Sequence, residues 1–328
     1  MTNEPLVSIL VPTYNREKYI GACLQSALNQ TYRNLEVIVV DNASSDSTWD
    51  IVGEIASQDQ RVRRFRNEIN LGPVRNWERC LAEARGELAK FLWSDDLISP
   101  TFVSKTVPWL RDNPEAGFVY TGFEMFCDSD KYRELSWRVG KSGLYPSQAY
   151  RQGVLADCRF PPSPGCALFR LEDLRRSLTV VIPNPCNIDL ATSGVGADMM
   201  FYLKTSLGYP YFAFVDENLS SFRYHPSSLS AASRMGSVPL SYALAKTNFF
   251  EDARVADHEI RRHNAYLYLL LKLFTNNTLG LRRLEGFYLK TPPDTAIDWL
   301  YMARIGVRYL CHELDRRVRK AAAALKNT

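Results

Sequence analysis

The stretch "NLGPVRNWERCLAEARGELAKFLWSDD", Asn70 to Asp96, decides the fold. Its first part reads as a helix, "GPVRNWERCLAEARG", closed by Gly86, and "LAKFLW" reads as a strand fit for burial. The strand delivers two adjacent carboxylates, Asp95 and Asp96, at its tip. Like charges are costly inside a sheet, so this tip must lie where charge meets solvent or ligand.

Upstream, the same alternation repeats. "LVSILVP" is a β-rich apolar run, and "REKYIGACLQSALNQ" places Tyr19, Ile20, Cys23, Leu24, Ala27 and Leu28 at helical spacing. "LEVIVVD" is a second strand, "SSDSTWDIVGEIASQ" a second helix and "RVRRFRN" a short third strand. Continuous apolar strands alternating with amphipathic helices predict an α/β fold, a mostly parallel sheet flanked by helices. Ligands in such sheets bind at the carboxyl ends of strands. Those ends carry "PTYNR", "DNASSD" and "SDD".

Beyond Asn113 the pattern loosens. "GFVYTGFEMF" predicts a strand, Pro161, Pro162, Pro164 and Gly165 a loop, "GADMMFYLKTSLG" a helix and "YFAFVDENLSSFRYH" a further strand. A change of module is expected near residue 240, followed by helices to the end. The chain has 328 residues and a formal net charge of +4, and the basic surplus falls in residues 241–328. A helix expected from about Ile297 to Lys326 mixes Trp299, Leu300, Ile305, Val307, Tyr309 and Leu310 with Arg304, Arg308, Arg316, Arg317, Arg319 and Lys320. It suits packing on the main domain, self-association or contact with anionic lipid.

The seven cysteines are scattered and never form Cys-x-x-Cys, which fits a reducing compartment. No signal peptide is read at the N-terminus, and the longest apolar run, Ala265 to Phe274, is too short to span a bilayer. The expectation is a soluble, cytoplasmic protein. No Gly-x-Gly-x-x-Gly and no phosphate-binding Gly-Lys-Ser/Thr loop follows the first strand. No nucleic-acid recognition motif accompanies the basic tail. Paired aspartates at a strand end instead suit a hard divalent cation, Mg²⁺ or Mn²⁺, holding phosphate. Adjacent side chains in extended backbone point opposite ways, so the two carboxylates are expected to do different jobs.

Taken in order, "VSILVPTYNR", "LEVIVVDNASSDST", the opening stretch, "GAD" and "FRYHPSSLS" resemble family 2 glycosyltransferases of the GT-A fold, over roughly residues 6 to 230. The resemblance implies transfer of a sugar from a nucleotide-diphosphate donor, UDP or dTDP favoured, to a hydroxyl of a glycan or lipid-linked acceptor, with inversion. It implies a GT-A domain over residues 1–239, of which 1–112 bind the donor and 113–239 the acceptor, and a helical, basic extension over 240–328. Pro12, Thr13, Tyr14, Asn15 and Asp41 match positions that cradle the nucleotide, with Asp41 accepting from a ring N–H. Arg75 matches a position near the donor, and Asp95 one that contacts ribose or the donor sugar. Asp96 matches the ligand of Mn²⁺ or Mg²⁺, His225 a further metal ligand, Arg223 an element closing over the diphosphate and Asp198 the general base.

Two departures stand out: Trp93 occupies the usual first aspartate of the metal motif, and Asn42 replaces a frequent second aspartate after strand two. A nucleotidyltransferase would need a Gly-rich basic loop that "PTYNREKYIG" lacks. A sugar-nucleotide-binding or glycan-binding module without turnover stays open, as does oligomerisation.

Overall fold

The computed structural model describes residues 4–127, 134–155, 160–225, 228, 237–252, 256–273, 281–290 and 294–307. Most of the basic helix expected over 297–326, and most of "PSSLS", lie outside the described residues. The chain divides into two compact units, residues 1–182 with 188–245, and residues 183–187 with 246–328.

In the first unit, β1 (Val7–Thr13), β2 (Leu35–Asp41), β3 (Val62–Arg66) and β4 (Leu88–Phe91) alternate with α1 (Ile20–Leu28), α2 (Thr48–Gln58) and α3 (Pro73–Glu83). All four strands run parallel, β1 pairing with both β2 and β4, and β2 with β3. Every residue of β1, β2 and β4 is buried, as helices on both sheet faces require. Val7, Ile9 and Val11 pack with Leu35, Val37 and Val39 and with the inner stripe of α1, while α3 covers the other face of β1 and β2.

After β4 come β5 (Leu97–Ile98), α4 (Phe102–Asp112), β6 (Ala116–Phe126), β7 (Glu134–Ser136), β8 (Gly143–Pro146), α5 (Ser147–Leu155), β9 (Ala167–Arg170), α6 (Leu171–Ser177), α7 (Ala197–Gly208) and β10 (Tyr211–Arg223). The sheet order is β3-β2-β1-β4-β9-β6-β10-β5, with β7 against β6 and β8 against β10. β9 is antiparallel to both β4 and β6, whereas β10 is parallel to β6. One reversed strand thus leaves β6 and β10 running with β4, and the C-terminal end of β10 comes to the same edge as "SDD". The α/β sheet read from the sequence forms, parallel over β1–β4 and mixed beyond it, where β5, β7, β8 and β9 pair antiparallel to their neighbours.

α8 (Ser237–Asp252) follows, then α9 (Asp257–Leu273), a 3₁₀ turn at Leu284–Phe287 and helical residues 299–307. The second unit is held by buried polar pairs. Thr247 Oγ1 lies 3.0 Å from His263 Nε2, Tyr288 donates its hydroxyl proton to Asn264 Oδ1, and Asn264 Nδ2 donates to Ala296 O at 3.1 Å. Burial pushes the His263 imidazole down to about 3, so it stays neutral. No described helix is long and apolar enough to cross a membrane, and Cys23, Cys80, Cys127, Cys166 and Cys186 are free thiols.

At the amino edge of the sheet, opposite the polar loops, Ser8 Oγ donates to Glu36 Oε1 at 2.7 Å and accepts from Gly86 N at 2.9 Å. Arg63 Nη1 donates to Glu36 Oε2 at 2.9 Å. α3 ends at Glu83, so Gly86 does not close the helix as its position in the sequence suggests. It is glycine because a Cβ there would meet Leu6 O and Ser8 Oγ at 2.7 Å and Leu88 O at 2.8 Å. Two of those atoms are backbone and cannot give way. Gly86→Ala is expected to lower the unfolding free energy by about 1–3 kcal/mol through overpacking. A denaturant midpoint unchanged from wild type would contradict this close approach.

Candidate active site

The carboxyl edge is built from the chain after β1, β2, β4 and β10. Pro12 and Thr13 end β1 in register with Val40 and Asp41. Thr13 is buried, and its hydroxyl meets no hydrogen-bond partner among the described residues. The Tyr14 ring next to it is 41% exposed, a flat apolar surface beside polar loops.

Asn15 then takes a left-handed turn, φ 50°, a conformation open to asparagine at small cost. The turn staples two loops together. Asn15 N donates to Ser44 Oγ at 2.9 Å, Ser45 N to Asn15 Oδ1 at 2.9 Å, and Arg16 N to Thr48 Oγ1 at 2.7 Å.

Asp41, expected to meet a ring N–H, is fully buried. Ser44 donates to it through both hydroxyl and backbone N–H, and Arg66 Nε lies 3.1 Å from its Oδ2. Asn42 is saturated. Its Nδ2 donates to Asn70 Oδ1 at 2.8 Å and Gly72 O at 3.2 Å, and its Oδ1 accepts from Asn67 Nδ2 at 2.9 Å and Leu71 N at 3.0 Å. An aspartate there would supply no donor, so the asparagine is what ties "NLGP" to β2. Arg75, on the first turn of α3, is exposed.

The two aspartates after β4 take different partners. Asp96 is buried and turned inward, its Oδ1 accepting from Arg223 N at 2.8 Å. Burial, with Asp95 alongside, raises its carboxyl well above the ordinary range. Asp95 faces the edge. Its Oδ2 lies 3.0 Å from His225 Nε2 and 3.4 Å from Arg16 Nε. The carboxylate that meets His225 is therefore Asp95, not the Asp96 to which the sequence reading gave the cation.

Arg223, expected to close over a diphosphate, donates from Nε to Asp95 O at 2.9 Å, with its guanidinium 4.5 Å from the Phe126 ring centroid and 5.1 Å from that of Tyr19. The Tyr19 ring lies 4.7 Å from the His225 ring.

Asp198 sits in the first turn of α7, after Gly196 at φ 92°. Its Oδ1 accepts from Gly196 N at 3.0 Å and Met199 N at 2.9 Å, and its Oδ2 from the Tyr242 hydroxyl at 3.0 Å. Burial raises the carboxyl to about 7 in spite of these donors. One turn on, Phe201 packs on Phe91 at 5.1 Å, and Trp93 stacks on Phe91 at 5.5 Å and tilts against Trp77 at 5.3 Å. Trp93, where an acid would be usual, thus belongs to the aromatic wall that sets α7 against the end of β4. Its indole N–H donates to Ser163 Oγ at 3.0 Å.

Three residues of this edge went unassigned in the sequence. Arg16 stood inside the quoted "PTYNR". Lys90 was visible as a charge within an apolar strand. It is fully buried, donates to Gly165 O, lies 4.1 Å from the Phe102 ring centroid and is pushed down to about 8 by burial. Tyr242 had no local signal, because its partner lies 44 positions away.

A carboxyl whose folded pKa of about 7 exceeds its ordinary 3.8 favours the native state when protonated. That contribution is full below pH 3.8 and is lost as pH rises through 7. The slope is at most about 1.4 kcal/mol per pH unit. Urea unfolding of wild type from pH 4 to 8 is expected to show this loss, and Asp198→Asn to lack it. Parallel curves for the two proteins would contradict the assignment.

Against known proteins, residues 8–178, just over half of the chain, match the family described as "Glycosyl transferase family 2". An uncharacterised glycosyltransferase of Haemophilus influenzae is 37% identical over 127 residues, 38% of this chain and 50% of the relative. The Escherichia coli UDP-Glc:alpha-D-GlcNAc-diphosphoundecaprenol beta-1,3-glucosyltransferase WfaP is 35% identical over 118 residues, 36% of this chain and 46% of that protein. The chain spans half or less of the length of these curated relatives. Among solved structures, S. aureus TarS 1–349 in complex with UDP-GlcNAc superposes with a TM-score of 0.64 at 20% identity, covering 82% of this chain and 73% of that one. The mannosyltransferase PcManGT from Pyrobaculum calidifontis, in complex with GDP-Man and Mn²⁺, gives 0.53 at 20% identity, covering 83% and 74%. These two share the fold.

Proposed function

From the premise that this chain belongs to glycosyl transferase family 2, we propose that it is an inverting glycosyltransferase. It moves a sugar from a UDP- or dTDP-linked donor to a hydroxyl of a glycan or lipid-linked acceptor, in bacterial surface polysaccharide assembly. The observation that carries this reading is the convergence of Asp95 and His225 at the carboxyl edge, 3.0 Å apart, beside an exposed Tyr14. The names of WfaP and of TarS with UDP-GlcNAc support a UDP-linked donor and a glycan setting.

The donor set fits a divalent cation. A carboxylate oxygen and an imidazole nitrogen are hard and borderline ligands that Mn²⁺ accepts. No group of three or more His, Cys, Asp or Glu side chains able to hold an ion occurs among the described residues, so in this reading the donor's phosphates would complete the ion's shell. Asp95 and His225 would hold it, in place of the Asp96 assignment. When bound, the cation would supply positive charge to the departing diphosphate.

The protein's own groups do the rest. Tyr14 offers a face for the base. Arg66, 43% exposed, has room to release Asp41 Oδ2 to a pyrimidine N–H. Asp96 fixes the start of "RYH" through Arg223 N, and Arg223 in turn holds the Asp95 backbone. Asp198 takes the acceptor proton as the hydroxyl attacks the face opposite the leaving group. A base poised near 7 is half ionised where it must work.

The test is a thermal-shift panel of UDP-, dTDP- and GDP-sugars with and without Mn²⁺, followed by turnover with the best ligand. One donor is expected to raise the melting temperature in a Mn²⁺-dependent way. Turnover is expected to fall below pH 7 as Asp198 protonates, and Asp198→Asn to lose roughly 10²- to 10⁴-fold in turnover while keeping donor stabilisation. Stabilisation by none of the panel would contradict a nucleotide-sugar enzyme, and stabilisation without turnover in wild type would favour a binding module.

A further inference from the structure

Arg16 crowds the very oxygen assigned to the cation. Its Nε lies 3.4 Å from Asp95 Oδ2, which also meets His225 Nε2 at 3.0 Å. A guanidinium and a divalent ion cannot both sit against one carboxylate oxygen at contact distance without strong mutual repulsion. Arg16 is also hinged for departure. Its backbone N–H is fixed to Thr48 Oγ1 at 2.7 Å, inside the loop stapled by Asn15, whereas among the described residues its guanidinium otherwise donates to carbonyls of its own loop, Tyr14 O at 3.3 Å and Asn15 O at 3.0 Å. The side chain is 20% exposed, so it has somewhere to go.

We infer that Arg16 is a built-in counter-charge of the cation site. It neutralises Asp95 when no divalent ion is bound, and it yields that carboxylate for the donor's diphosphate when ion and nucleotide arrive together. The inference rests on the reading above that the ion binds Asp95. It makes ion binding conditional. Mn²⁺ alone must displace Arg16 without recompense, whereas Mn²⁺ with a nucleoside diphosphate gives the guanidinium a bidentate anionic partner of the kind it prefers. A purely structural ion pair that clamps the loop predicts the opposite sign, because losing the clamp would loosen the site and weaken the ion.

The experiment measures Mn²⁺ binding from the free-ion paramagnetic resonance signal, with and without UDP, in wild type, Arg16→Gln and Asp95→Asn. No turnover is needed. Arg16→Gln is expected to bind Mn²⁺ alone roughly 5-fold tighter, the scale of one displaced, partly exposed ion pair. It is also expected to bind UDP several-fold more weakly at saturating Mn²⁺, so that the nucleotide's enhancement of ion binding shrinks. Arg16→Gln with Mn²⁺ affinity equal to or below wild type would overturn the inference. Arg16→Lys keeps the charge without the Nε contact and is expected to fall between the two. It carries the same test should the glutamine variant not fold, wild-type affinity in it then overturning the inference. Asp95→Asn is expected to abolish Mn²⁺ binding. If it binds as wild type does, the ion does not sit on Asp95, and the site reading fails separately from the role of Arg16.

Discussion

The structure turns on a single constraint: two neighbouring carboxylates follow closely on a strand whose side chains are all buried. β4 is buried throughout, so Asp95 and Asp96 must be neutralised within a residue or two of the core. They divide the task. Asp96 turns inward to a backbone N–H, where burial favours its protonated form, and Asp95 turns outward to Arg16 and His225. The inward partner holds β10 to the end of β4, and the outward pair makes the candidate site.

That division depends on sheet topology. β10 ends at the same edge as β4 because one antiparallel strand, β9, is interposed and β6 returns to the common direction. His225, 130 positions from Asp95, is placed by this arrangement and by the Tyr19 ring beneath it. Asp198 starts α7, the helix that the aromatic wall of Phe91, Trp93, Trp77 and Phe201 sets against the end of β4. In the usual form of the motif, an acid would stand at Trp93. Here a packing residue takes the position, and in the proposed site Asp95 and His225 are left to hold the ion together with substrate phosphate.

Much of this was legible in the sequence for a plain reason. Apolar runs of four to seven residues alternating with amphipathic helices have few folding solutions, so the parallel half and its polar edge followed from periodicity. What periodicity cannot carry is direction at a turn. The sequence reading separated Asp95 from Asp96 by strand alternation, but β4 ends at Phe91 and both lie in a turn, so their directions are set by the turn in which Asp96 N donates to Trp93 O at 2.9 Å and by a backbone N–H of Arg223. Tyr242 was invisible for the same kind of reason, its contact with Asp198 being tertiary. Gly86 was misread as a helix stop because a close backbone approach and a cap leave the same letter in the sequence. Lys90 was readable as an anomaly, since a lysine in a buried strand must find a partner, and it found Gly165 O.

The central claim is that Asp95 and His225, rather than Asp96, hold the cation that meets the donor's diphosphate. Crystals grown with UDP and Mn²⁺ and measured at the manganese absorption edge test it most directly. An anomalous peak in coordination distance of both Asp95 Oδ2 and His225 Nε2 is the expected result. A peak on Asp96 with His225 turned away, or no ordered manganese beside a bound nucleotide, would contradict it.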